Sequence, residues 1–210
     1  MSTVRVADAQ TVGDRTVALE LETPADFEAY PGQFIVIRAQ IDGEEETGYY
    51  TISSPTVEGT FEITVSYHPD GALGPELAAH ERGDTVEIDG PFGDVTYHGD
   101  ADILALAEGP GIGPAIAMAE LGVQNDRDVT ILFRGASPPH RDRLEAVDDS
   151  GGSVILVEAI DDADLRGERL DEREAFVFGF EGFTEDAVER LESLGFDADR
   201  LHVESFGPKG

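Results

Sequence analysis

The sequence predicts two domains of different class: a small antiparallel β-barrel over residues 1–98 and an α/β domain on a parallel sheet over residues 99–210. Three observations predict this. Short runs in the first half alternate apolar with polar residues and are separated by Gly/Pro turns. Runs in the second half are almost continuously apolar and alternate with helix-like stretches, the pattern of a parallel sheet covered on both faces. The change falls in one place, "TYHGDAD" at residues 96–102, with no internal repeat and no long linker.

The elements follow in order. In "TVALELET", Val17, Leu19 and Leu21 share one face and Ala18, Glu20 and Glu22 the other. In "FEITVSY", Phe61, Ile63, Val65 and Tyr67 face one way and Glu62, Thr64 and Ser66 the opposite way. "QFIVIRA" and "DTVEIDG" are further short strands. Turn chemistry separates them at "YPGQ", "IDGEEETG", "HPDG", "ERGD" and "DGPFGD". Strands of the second half are expected at "DILALAE", "DVTILFRG", "SVILVEAI", "EAFVFGF" and "RLHVESF". Among the intervening helices "FTEDAVERLESLGF" is the clearest: Thr184 is placed to cap it, Val188, Leu191 and Leu194 recur at helical spacing, and Gly195 sits at the stop.

Composition narrows the function classes. The net charge is −31, and Lys209 is the only lysine. Acid spread along the chain with so little lysine is the surface expected of a protein from a very salty cytoplasm. Such a surface repels nucleic acid and anionic membrane, so neither is an expected partner. The absence of cysteine excludes disulfides, thiolate-bound iron–sulfur clusters and cysteine nucleophiles. "MSTVRVADAQTVG" lacks the apolar core of a signal peptide, and no apolar run approaches the roughly 20 residues of a membrane span. A soluble cytoplasmic protein is expected. His68, His80, His98, His140 and His202 show no paired ligand spacing, so no metal site is expected and each reads as a surface or loop residue. The acidic runs "GEEETG" and "AIDDADL" read as solvated surface, and no serine-centred hydrolase elbow is present.

Several stretches carry chemistry. "GYYTISSP" sets two tyrosines beside Thr51, Ser53 and Ser54, which suits a flat heteroaromatic ligand or an ordinary hydroxyl-rich strand end. "DGALGPEL" is a glycine turn before a short helix, a candidate anion site. "LALAEGPGIGPAIAMAE" runs from a strand through Gly109, Gly111 and Gly113 into a small-residue helix. That context makes it a nucleotide loop or, failing that, a chain turn.

The order of these pieces is more specific than any one of them. PGQF, then Y-[ST]-I-S-S, G-x-L before a helix, GPFG, a strand with GxGIxP, an xGF turn and a final E-x-F resemble the ferredoxin–NADP⁺ reductase family over residues 30–207. The resemblance implies a Greek-key barrel holding FAD, or FMN in its place, and an α/β domain binding NADPH or NADH. It further implies a flavin-dependent oxidoreductase that hands electrons to a separate acceptor, such as an acidic carrier like ferredoxin. The cofactor carries the chemistry and the protein supplies position and electrostatics. On the matched positions, Tyr50, Thr51, Ile52 and Ser53 meet the flavin ring, with Thr51 at its redox-active edge. Val65, Ser66 and Tyr67 line its adenine or ribityl side, and Gly71, Ala72, Leu73 and Gly74 offer backbone N–H groups to the pyrophosphate. Gly109, Gly111, Ile112 and Gly113 form the nucleotide loop; Phe178 and Gly179 wall the nicotinamide; Glu204 and Phe206 lie near the flavin and join Thr51 as catalytic candidates. Ser137, Arg141 and Arg143 in "GASPPHRDR" are placed to read a 2′-phosphate, or are solvated residues at a helix start.

The chain departs from the family in ways that bear on binding. Gly48 stands where the family has an arginine on the flavin phosphates, a contact of about 1.5–3 kcal/mol. Gly74 replaces a hydroxyl residue of the pyrophosphate loop, Pro110 replaces a threonine, and Phe178 replaces a cysteine. Glu108 brings negative charge toward a phosphate, a penalty of about 1 kcal/mol at 4 Å in water. The alternative reading is therefore a binding or regulatory module, or an electron-transfer subunit of a larger complex, with weakened flavin and nicotinamide sites.

Overall fold

The structure, a computed structural model, describes residues 1–166, 170 and 172–207. Six strands form the first sheet: β1 (Ser2–Gly13), β2 (Thr16–Glu22), β3 (Phe34–Ile41), β4 (Glu44–Thr51), β5 (Thr60–Ser66) and β6 (Thr85–Phe92). They pair antiparallel in the order β4-β3-β6-β1-β2-β5, and a bridge between Ile52 and Ile63 brings the two ends together into a Greek-key barrel. The alternating residues build its core: Leu19, Leu21, Ile35, Ile37, Phe61 and Ile63 are all buried inside. A short helix, α1 (Leu73–Ala78), closes one end by burying Leu73 and Leu77.

One strand is not read from the sequence and another is read only at its end. β1 lies in the N-terminal stretch, where Val4 and Val6 alternate with polar neighbours before a register shift bends the strand from β6 onto β2. β4 begins inside "IDGEEETG": only Asp42 and Gly43 turn, both at positive φ, and Glu44–Glu46 already pair with β3. Consecutive glutamates read as a loop because charge masks the strand, but an edge hairpin leaves them in water.

The second sheet is parallel, in the order β11-β10-β7-β8-β9. Its strands are β7 (Ile103–Glu108), β8 (Val129–Arg134), β9 (Ser153–Val157), β10 (Glu174–Gly179) and β11 (Leu201–Ser205). Helices α2 (Ile112–Gln124) and α3 (Arg141–Asp149) cover one face, and α5 (Glu181–Ser193) covers the other; α4 spans Asp162–Arg166. Because both faces are covered, both parities of β7 are apolar. Ile103, Ala105 and Ala107 pack toward α2, while Leu104 and Leu106 pack toward Phe183 and Leu191 of α5. Among the described residues, no helix is long and apolar enough to cross a membrane.

The last helix starts earlier than its apolar spacing implied. α5 begins at Glu181, so Thr184 lies in its first turn and donates its hydroxyl to the Glu181 carbonyl instead of capping. Its end is as read: Gly195 has φ +83°, and the Gly195 and Phe196 amides donate to the Glu192 and Leu191 carbonyls.

Candidate functional site

Parallel pairing brings the C-terminal ends of β7, β10 and β11 to one edge, with Ala107 level with Phe178 and Gly179 level with Ser205. This edge faces the outer side of β4 and β5. Between the two lies a cleft of about 440 Å³, a volume in the range of ordinary ligand sites. Ligands of open α/β sheets bind at this end of the strands.

One wall of the cleft comes from the barrel: Phe34, Gly48, Tyr49, Tyr50, Thr51, Thr64 and Ser66. Phe34 meets Tyr49 edge-on with ring centroids 5.9 Å apart. Burial pushes the Tyr50 phenol up to about 12, so it remains a neutral hydrogen-bonding group. The other wall comes from the sheet edge: Pro110, Phe180, Glu204, Ser205 and Phe206. The Phe180 and Phe206 rings stand perpendicular, 6.3 Å apart, and the Phe206 amide donates to the Gly179 carbonyl at 2.9 Å. Burial raises the carboxyl of Glu204 above the usual carboxylate range. Among the described residues, the lining carries Glu204 as its one carboxylic acid and no lysine or arginine.

The cleft gathers Tyr50, Thr51, Ser66, Glu204 and Phe206 of the residues singled out by sequence, and leaves others elsewhere. Ile52 and Val65 are fully buried in the barrel core. Ser53 is fully buried too, its hydroxyl 2.8 Å from that of Thr64. Gly71 and Ala72 are exposed, Leu73 is buried, and Gly74 packs so closely that a Cβ would lie 2.6 Å from the Tyr67 Cβ. At Gly48 a Cβ would lie 2.7 Å from the Tyr50 ring and 2.8 Å from Leu73. Neither glycine accepts a side chain unless a neighbour moves, so the two departures are built into the packing of Tyr50 and Tyr67.

The glycine loop forms a 3₁₀ turn at Gly109–Gly111 that runs into α2. Its three glycines face different partners. Gly109, at φ +56°, turns toward Phe180. A Cβ on Gly111 would lie 2.2 Å from the Phe178 carbonyl oxygen, and one on Gly113 would lie 2.3 Å from the Ser53 hydroxyl. Ile112 is fully buried. Phe178, expected to wall the nicotinamide, is also fully buried in the core beneath α2. Its direction follows from strand alternation, and Phe180, just past the strand end, is the aromatic residue that reaches the cleft. A Cβ on Gly179 would meet Phe183 at 2.6 Å.

Glu108 does not stand on the lip as a bare charge. Arg134 donates to it at 2.5 Å and stacks its guanidinium 4.7 Å above the Phe183 ring. Ser137 and Arg141 are exposed, and Arg141 borders a separate hollow between α3 and β9. Arg143, grouped with them in the sequence, is held elsewhere: it pairs with Glu62 at 2.6 Å and Glu120 at 2.8 Å, and donates to the Ser53 carbonyl at 2.7 Å.

His140, read as a surface or loop residue, does lie in the loop before α3 but is buried there, 4% exposed and at φ +57°. Its Nε2 lies 2.8 Å from the Thr64 hydroxyl and its amide donates to the Val12 carbonyl. Burial, aided by the nearby Arg143 charge, pushes the imidazole down to about 3, so it is neutral at ordinary pH. Burial pushes the Glu62 carboxyl up to about 7; Arg143 opposes this and the charge of Glu120 adds to it. Phe180 and Pro110 were within reach of sequence reading, since both sit in quoted turns. Arg134, Glu62 and Glu120 carry no local signal, because their partners come from distant segments.

Residues 3–97 match the oxidoreductase FAD-binding domain family. The chain is 31% identical to the glycine betaine monooxygenase reductase subunit of Chromohalobacter salexigens, over 92% of this chain and 60% of that protein. It therefore spans about three fifths of that relative's length. Its fold matches the FAD/NAD-binding domain of nitric oxide dioxygenase from Vibrio cholerae O1 biovar El Tor, with a TM-score of 0.82, 22% identity and 98% of each chain covered. It also matches ferredoxin–NADP⁺ reductase from Plasmodium falciparum, with a TM-score of 0.76, 17% identity, and 97% and 95% of the two chains covered.

Proposed function

We propose that the chain is a flavoprotein of the ferredoxin–NADP⁺ reductase-like family, which moves electrons from NAD(P)H through FAD to a separate acceptor; the match of residues 3–97 to the oxidoreductase FAD-binding domain family and the shared two-domain fold support this. The observation that carries this reading is the cleft, where a wall of aromatic rings and hydroxyls faces the C-terminal edge of a parallel sheet. Residues 1–98 form the flavin half of this reading and residues 99–210 the nucleotide half, a division supported by β6 ending at Phe92 and β7 starting at Ile103.

The barrel wall fits the ring system of a flavin. Tyr50 offers a stacking face, and Thr51 and Ser66 offer hydroxyls to a ring edge. The phosphates are less well served by side chains, because among the described residues no cationic side chain lines the cleft; backbone N–H groups of Ala72, Leu73 and Gly74 are the proposed donors. Bound FAD supplies acceptance of a hydride and release of electrons one at a time. The chain's own part is to position and to shield. Phe180 and Phe206 exclude water from the sheet side. Glu204, its carboxyl pKa raised by burial, is placed to hydrogen-bond beside the ring edge. Gly109 leaves room for close backbone approach, and Arg134 offsets Glu108 so that a nucleotide phosphate meets a neutral lip. Replacing Arg134 with glutamine is expected to weaken NAD(P)H affinity by about tenfold, or about 1.4 kcal/mol. Titration of the flavin-loaded protein measures this, and an unchanged affinity removes Arg134 from the site.

The acceptor is proposed to be an oxygenase component or a ferredoxin-type carrier, by likeness to the reductase subunit among the relatives. Ser137 and Arg141 are the residues proposed to choose between NADPH and NADH. A second reading, a flavin-poor binding or electron-transfer module, is favoured by the lack of a cationic side chain among the described residues that line the cleft. A visible spectrum recorded before and after anaerobic NADPH, then NADH, separates the two. A flavin band that bleaches supports the reductase; no flavin uptake on reconstitution overturns it.

The net charge of −31 and the single lysine support a cytoplasm of high salt. At roughly 1 M salt the Debye length is about 3 Å, so surface repulsion is screened there. Thermal stability is therefore expected to rise by about 10 °C or more, several kcal/mol, from dilute buffer to molar KCl. A flat melting temperature removes the salt-adapted reading.

A further inference from the structure

The boundary between barrel and sheet is a largely buried polar seam assembled from five separate segments. Arg143 of α3 is its centre. Its guanidinium pairs with Glu62 of β5 at 2.6 Å and with Glu120 of α2 at 2.8 Å, and it donates to the Ser53 carbonyl at 2.7 Å. Four of its N–H groups thus hold the barrel and α2 at once, Nε and Nη2 gripping Glu120 together, the planar fork that arginine offers and lysine lacks. The residue before α3 locks the same helix: His140 meets Thr64 through Nε2 and Val12 through its amide. Gly113 lets α2 approach so closely that a Cβ there would lie 2.3 Å from the Ser53 hydroxyl and 2.6 Å from that of Thr64. Thr64 also lines the cleft, so the seam forms the cleft's inner border.

We infer that Arg143 is the positioning residue that seats the nucleotide half on the flavin half and so sets the distance across the cleft from Tyr50 and Thr51 to Pro110 and Phe180. The inference rests on the electron-transfer reading for its consequence, and on the seam geometry alone for its structural part. Transfer between two bound rings needs reacting atoms at about 3–3.5 Å, and a misplacement of about 1 Å costs on the order of 100-fold. A loosened seam therefore reduces the rate of transfer more than it reduces the binding of either ligand.

The chain has no cysteine, so Glu44→Cys on the barrel and Glu189→Cys on α5 accept a unique pair of spin labels. The distance between the labels is expected to be a single narrow distribution with Arg143 in place. In Arg143→Met it should broaden or gain a longer component; Arg143→Lys, which keeps charge but not the fork, should recover only part. In the same variants, flavin occupancy is expected to hold while kcat for bleaching by NAD(P)H falls at least tenfold with KM within about twofold. If Arg143→Met does not fold, Arg143→Lys and Glu120→Gln carry the test. An unchanged distance distribution in the variants that fold overturns the inference. Absence of flavin in the parent chain overturns the electron-transfer reading instead, and leaves the distance measurement to decide the role of Arg143.

Discussion

Gly111→Ala is expected to destabilise the protein by about 3 kcal/mol or more, the upper end for overpacking a core. Gly111 has φ −60° and ψ −13°, a conformation alanine adopts freely, so the cost is entirely one of space. The added Cβ would lie 2.2 Å from the Phe178 carbonyl oxygen and 2.7 Å from its carbon. Those are backbone atoms of β10, which is paired to β7 on one side and β11 on the other and cannot step back. Phe178 itself is fully buried against α2, so the helix cannot rise without opening the core. Gly182→Ala is the control, since nothing lies within 4 Å of a Cβ there. Urea unfolding of both variants measures the difference; a Gly111→Ala midpoint close to the parent's would mean that the loop packs otherwise. With typical domain stabilities of about 5–15 kcal/mol, the loss is large enough to leave part of the variant unfolded at growth temperature.

The polar seam should titrate in two opposing directions. His140 stays neutral in the fold down to about 3, against an ordinary value of 6.5. As pH falls from 6.5 toward 3 the unfolded chain takes a proton that the folded one refuses, so stability is lost, by about 1.4 kcal/mol per unit. Glu62 runs the other way. Its carboxyl is protonated near 7 in the fold, against 4.5 ordinarily, so stability grows as pH falls from 7 to 4.5 and is lost as pH rises through that window. Between 6.5 and 4.5 the two slopes offset, and below 4.5 that of His140 acts alone. Glu62→Gln is therefore expected to lose about 3 kcal/mol relative to the parent between pH 7 and pH 4, and His140→Gln to gain about as much. Urea midpoints at pH 7, 5.5 and 4 give the comparison. Variants that both keep the parent's pH profile would show that the seam does not titrate.

The fold was legible wherever burial is a local property. Strand β2 announces itself because Leu19 and Leu21 point inward while Glu20 and Glu22 do not, and β7 because two faces of cover make every residue apolar. The first half of β4 was not legible, because its glutamates stand on an edge hairpin where water, not packing, sets the residue type. The start of α5 was misplaced because Glu181 and Gly182 carry no apolar period, although Phe183 behind them does.

At the cleft, ordered motifs pointed to Tyr50, Thr51, Ser66, Glu204 and Phe206, all of which line it. Each sits at a strand end, where sequence order and position along the sheet edge coincide. The sequence by itself determined the two architectures and the edge at which they meet, because periodicities of two and near-continuous apolar runs are written residue by residue. Only the tertiary structure decided which way each residue of that edge turns: Phe178 inward and Phe180 to the cleft, Gly109 toward Phe180 and Gly113 to the barrel. It alone decided that Arg143 closes on Ser53, Glu62 and Glu120, 90, 81 and 23 residues away. A buried charge finds its partners through space, after the chain has folded, and no window of the sequence is long enough to hold them together.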